Sequence, residues 1–153
     1  MPMPGTRPLA AGDIAWVSTD AYVPEGTLSE AMSWNGGALD RSRLENAARA
    51  IGLLDDALLP GGLDARLDKG GANLSGGQRL RIAIARAQLS GRTMLADEPT
   101  AKLDRTTAEA VRRMLIGISG TRLVVMATHD RDLAAAADLV VDLTRDDTVE
   151  VAA

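Results

Sequence analysis

Two adjacent carboxylates, Asp97 and Glu98, follow the short apolar run MLA, and the only histidine, His129, follows VVMAT. An acid pair at the end of an apolar run can divide its work. Mg²⁺ takes oxygen ligands, keeps several waters and uses one or two protein carboxylates beside phosphate oxygens, a role that suits Asp97. Glu98 is then placed to accept a proton from, or orient, a water attacking a terminal phosphate. His129 can donate a hydrogen bond to a phosphate oxygen from the same edge. Each feature alone has a plainer reading: a lone DE pair fits a solvated turn, and a single histidine fits the neighbour of a helix cap.

A third feature is NLSGGQRLRIAIARAQ, residues 73–88. Glycine costs about 1 kcal/mol against alanine inside a helix, so Gly76 and Gly77 belong at an entrance. Leu80, Ile82, Ala83, Ile84, Ala87 and Leu89 then supply one buried face, with Arg79, Arg81 and Arg86 mostly opposite. At such a helix start the first N–H groups lack partners, the dipole end is positive, and absent side chains let an anion approach. An isolated SGG reads better as an exposed loop; its company changes that.

The elements that must position these residues follow from patterning. The 153 residues, 46% hydrophobic and 25% charged, fit one compact domain or a large piece of one. Ile14 to Ser18 reads as a strand, residues 27–32 and 40–51 as helices, and residues 56–73 as a loop-rich approach to the Ser75 helix. TMLAD, RLVVMAT and ADLVVDL are short apolar runs of the buried-strand kind, separated by helical stretches at 105–118 and 130–137. That order predicts right-handed crossovers and a parallel sheet, with ligands at the carboxyl ends of its strands, where Asp97, Glu98 and His129 lie.

Composition narrows the partners. The net charge of -4 gives no basic field for nucleic acid, and with no Phe, two Trp and one Tyr there is no platform for stacking bases. The absence of cysteine removes disulfides, thiolate catalysis and cysteine-bound zinc. No run approaches 18 apolar residues and the opening MPMPGTRPLAAGD has no signal-peptide core, so a cytoplasmic chain is expected.

LSGGQ (74–78), MLADEPT (94–100), AKLD (101–104) and ATHD (127–130), in that order, resemble the nucleotide-binding domain of ABC transporters. LSGGQ looks like the family signature, ADEP its Walker B with the adjoining catalytic Glu, AKLD its D-loop and His129 its switch histidine. IAWVSTDAYVPEGTLSEAM is similar to the Q-loop segment of ABC exporters. The resemblance implies an α/β fold: a P-loop NTPase-like parallel sheet, here an incomplete ABC ATPase core, with an inserted helical subdomain. Its parts would be residues 1–26 (Q-loop strand and loop), 27–91 (helical subdomain with the signature) and 92–153 (Walker B, D-loop and H-loop).

The same resemblance implies ATP and Mg²⁺ as cofactors. Leu74, Ser75, Gly76, Gly77 and Gln78 would bind nucleotide, Asp97 the metal, and Glu98, His129 and Asp104 would be catalytic. The implied partners are a second nucleotide-binding domain, identical or different and packed head to tail, and the transmembrane domains of an exporter, through which the chain would sit on the inner face of the membrane.

The pattern also breaks. A Walker A reads GxxxxGK before Ser or Thr; Lys69 and Lys102 are the only lysines and neither follows a glycine. Thr19 stands where the Q-loop Gln falls, and Asp68 and Lys69 replace a Gly and an acidic residue common in exporters. The expectation is an ATPase subunit of an exporter that is hydrolysis-deficient as a bare chain, with apolar strand edges left unpaired and poor stability or association when alone. The alternative is a non-enzymatic regulatory module donating its LSGGQ to a complete partner. An ABC protein of translation or repair fits less well, because the long insertions of repair ATPases are missing.

Overall fold

The computed structural model describes residues 10–34, 39–54, 59–143 and 149–151. In chain order the elements are β1 (Ile14–Val17), β2 (Gly26–Thr27), α1 (Leu28–Ser33), α2 (Arg41–Ala50), β3 (Arg66–Leu67), α3 (Gly76–Ser90), β4 (Thr93–Asp97), α4 (Arg105–Ser119), β5 (Val124–Ala127), α5 (Arg131–Ala135), β6 (Leu139–Val141) and β7 (Val149–Val151).

The parallel sheet has the order β1-β4-β5. Val17 pairs with Ala96 and Asp97 with Ala127, so the three strands end at one edge. The apolar runs IAWV, TMLAD and VVMA form these strands as expected. ADLVVDL does not join them. Its β6 pairs antiparallel with β7, Val140 opposite Glu150, in a separate ribbon. An antiparallel partner close along the chain needs only a tight connection, whereas a parallel one needs a full crossover. The three residues VEV that form β7 are too few to read as a strand from the sequence. Among the described residues β5 is paired on one side only.

The long amphipathic helix α3 carries the fold. It packs against α1, α2, β1 and β4, and Ile82, Ala83, Ile84 and Ala85 are all buried. The expected single buried face is therefore too narrow, because the sheet covers one side and the helical block the other. Each fully buried Ile or Leu contributes about 1.5–3 kcal/mol. Arg86 lies on the crowded side and donates from Nε to the Ala31 carbonyl at 3.0 Å and from Nη1 to that of Tyr22 at 3.1 Å, while its Nη2 is buried without a hydrogen-bond partner. Burial draws its pKa below the usual arginine value.

Helix ends explain the remaining differences. Thr27 and Asp130 are caps, not first residues, of α1 and α5. The stretch expected to be loop contains β3, which pairs antiparallel with β2 (Gly26 opposite Leu67) and buries Leu67.

Candidate functional site

The starts of α3 and α4 meet at Gly77 and Thr107. Ser75 caps α3 in a capping box: its hydroxyl accepts from the Gln78 N–H at 3.1 Å, and Gln78 Oε1 accepts from the Ser75 N–H at 2.8 Å. Asp104 caps α4, accepting from the N–H groups of Thr106 and Thr107 at 3.0 Å each and from the Thr107 hydroxyl at 2.6 Å. The Thr107 hydroxyl, then its N–H, hold the Asp104 carboxyl below the usual carboxylate range. A Cβ on Gly77 would lie 2.8 Å from the Thr107 methyl, so this glycine is required by packing. A Cβ on Gly76 would meet nothing within 4 Å. The open approach expected for both glycines exists at Gly76 alone. Leu74 is buried, its N–H donating to the Gly71 carbonyl at 2.9 Å.

At the sheet edge the structure brings Glu98 and His129 together. Glu98 Oε1 lies 3.5 Å from His129 Nε2, and Oε2 accepts from the His129 N–H at 3.3 Å. Glu98 has φ 43°, the only positive φ of a non-glycine among the described residues. Such left-handed backbone costs of order 1–3 kcal/mol and persists where surroundings enforce it. Here the Glu98 N–H donates to Ala127 at 2.9 Å and its carbonyl accepts from Ala101 at 3.1 Å. Asp97, the last residue of β4, is exposed.

Sequence reasoning missed the group beside this pair. Thr100 is buried and donates to Asp130 Oδ2 at 2.9 Å, which also accepts from Arg112 Nε and Nη2 at 3.1 and 3.0 Å. Burial would raise the Asp130 pKa, but the Thr100 hydroxyl, the Leu133 N–H and Arg112 outweigh it and hold the carboxyl below its usual range. Arg112 lies 18 residues before Asp130 in an ordinary helix, so no local pattern marked it. The aromatic residues were counted in the sequence but not seen to converge. Trp16, Tyr22 and Trp34, exposed by 57%, 57% and 43%, line one groove of about 220 Å³ with Arg86 and Arg92.

The family model described as ABC transporter matches residues 4–101. The chain belongs to the ABC transporter family. It is 32% identical over 147 residues to the pyoverdine export ATP-binding/permease protein PvdT of Pseudomonas savastanoi pv. phaseolicola, covering 89% of this chain and 22% of that one. It is 41% identical over 106 residues to the lipoprotein-releasing system ATP-binding protein LolD of Syntrophotalea carbinolica, covering 67% of this chain and 44% of that one. The chain thus spans about a fifth of the first relative and under half of the second. A bacterial Atm1-family ABC exporter with ATP bound superimposes with a TM-score of 0.71 at 25% identity, over 84% of this chain and 23% of that one. The mixed α/β architecture with a parallel sheet is the ABC ATPase fold of that exporter. Among the described residues no helix is long and apolar enough to cross a membrane.

The family implies nucleotide, typically with Mg²⁺. The donor chemistry fits: the exposed Asp97 is the kind of single carboxylate that Mg²⁺ uses beside water and phosphate oxygens. Gly76, open where a side chain would stand, fits an anion approaching the start of α3.

Proposed function

We propose that the chain is part of the ATP-binding subunit of an ABC exporter, coupling ATP binding and hydrolysis to transport across a membrane. The observation that carries this reading is the Glu98–His129 pair, 3.5 Å apart at the carboxyl edge of a parallel sheet and beside the exposed Asp97.

In this reading Asp97 holds Mg²⁺, which when bound neutralises phosphate oxygens. Glu98 orients the attacking water and takes its proton, and His129 donates a hydrogen bond to a terminal phosphate oxygen. Ser75, Gly76, Gly77 and Gln78 present the start of α3 to the γ-phosphate of an ATP held by a second nucleotide-binding domain, with Leu74 anchoring the turn from the core. Asp104 fixes the start of α4 against that turn and faces the partner domain.

No GxxxxGK occurs in the 153 residues, which supports a chain that gives no turnover by itself and works as donor of its signature segment.

The transmembrane partner has a candidate seat. All three aromatic residues of the chain meet in the groove with Arg86 and Arg92, no acidic side chain among the described residues lines it, and Arg86 Nη2 is buried without a hydrogen-bond partner. Trp, Tyr and Arg are the residues that dominate binding energy at interfaces. We assign the groove to an apolar helix of the membrane-spanning partner that carries a carboxylate.

The experiment is MgATP hydrolysis by the chain, beside Glu98→Gln, alone and with a complete nucleotide-binding domain whose own signature serine is replaced. Turnover restored by the mixture and lost with Ser75→Ala supports donation. Glu98-dependent turnover by the chain alone overturns the donor reading.

A further inference from the structure

Glu98 and His129 stand on different loops, and their own contact is weak. The Nε2 to Oε1 separation is 3.5 Å and the His129 side chain is 98% exposed, so no packing holds the imidazole in place. Exposed pairs of this kind contribute little and are screened by salt. Something else must keep the two loops in register while Glu98 stays in its left-handed conformation.

The adjoining residues do this. Thr100 lies two residues past Glu98 and Asp130 one past His129, and the Thr100 hydroxyl donates to Asp130 Oδ2 at 2.9 Å. Arg112, from α4, reaches the same oxygen through Nε and Nη2, with side-chain exposures of 19% for Arg112 and 16% for Asp130. Asp130 Oδ1 caps α5, accepting from Asp132 at 3.1 Å and Leu133 at 3.2 Å, and the Asp130 N–H donates to the Thr128 hydroxyl at 3.0 Å. One carboxylate thus ties the loop after β4, the loop after β5 and the body of α4. Charge-assisted bonds in a partly buried site are roughly twice as strong as neutral ones, so this tie outlasts the exposed pair it flanks.

We propose that Thr100, Asp130 and Arg112 are positioning residues that set the separation of Glu98 and His129 from outside the pair. The staple needs the Thr100 hydroxyl and a cationic donor at Arg112, not merely their volume. Its importance for hydrolysis rests on the function proposed above; the geometric claim does not.

The test uses the single histidine of the chain, whose imidazole C–H signals report one site. In NMR spectra of the full chain without nucleotide, Glu98→Gln shifts the His129 signals. In Thr100→Val and Asp130→Asn backgrounds the shift caused by Glu98→Gln falls by at least about half, a double-mutant coupling read on a chemical shift. In Thr100→Ser it is retained. Should Thr100→Val fail to fold, as read from amide dispersion, Arg112→Met and Arg112→Lys form a second pair, with the response lost in the first and largely kept in the second. An equal response in every folded background, its loss in Thr100→Ser, or no response to Glu98→Gln in the unaltered chain overturns the proposal. Because no turnover is measured, failure of the ATPase reading leaves this outcome distinct.

Discussion

The methyl group of Thr107 occupies the space that a side chain on Gly77 would need, 2.8 Å from where its Cβ would stand, while Gly76 one residue earlier faces open space. The two glycines of one motif therefore have different physical reasons.

Gly77→Ala is expected to destabilise the chain by about 1–3 kcal/mol, the usual cost of overpacking against a stiff β-branched neighbour. Gly76→Ala, in open space, is expected to stabilise it by about 0.4–1 kcal/mol. Urea unfolding of both variants checks the contrast. Thr107→Ser, which removes the methyl and keeps the hydroxyl for Asp104, recovers part of the Gly77→Ala loss; equal effects at the two glycines would show that the packing account is wrong.

Asp104→Ala removes the acceptor of two N–H groups and a hydroxyl at the start of α4. A loss of stability is expected, and Asp104→Asn, which still caps, loses much less. Circular dichroism melts of the two variants measure the difference.

The staple at Asp130 makes a pH prediction. Its pKa is lowered in the fold, so its contribution is fully present above the unfolded value of about 3.9 and is lost as pH falls below that value through the folded one. The urea midpoint is expected to drop as pH falls below about 4, and the slope there to flatten in Asp130→Asn. Arg112 stays charged throughout and adds no titration there. An unchanged slope in Asp130→Asn would remove Asp130 as the cause.

The side of β5 left unpaired among the described residues predicts association. Leu123 just before β5 and Val125 within it are exposed, as are Leu139, Val141 and Leu143 on and beside β6. Unpaired strand edges with apolar side chains template contacts between chains. Sedimentation velocity is expected to show concentration-dependent species that Val125→Lys suppresses. A sharp, concentration-independent melt of a monomer would count against this.

The groove predicts a split between stability and binding. Trp16 and Tyr22 are more than half exposed, so Trp16→Ala and Tyr22→Ala leave the urea midpoint nearly unchanged. Each is expected to weaken capture by a detergent-solubilised exporter membrane domain by at least about tenfold, as interface anchors do.

The sequence by itself determined the local chemistry. Ser75 and Gln78 box the start of α3 because a cap and its reciprocal acceptor lie three residues apart, and the apolar runs TMLAD and VVMA form parallel strands, of which only Met94 and Ala96 are buried. Asp97 and His129 at the strand ends follow from that. Tertiary structure decided which residues meet across the chain. β6 left the sheet for β7, Gly77 was claimed by Thr107, and Arg112 reached Asp130 from another helix. Propensity and periodicity act over a few residues, whereas these contacts depend on how helices and strands are stacked. A single apolar run or one arginine in a helix carries no record of the partner it will find.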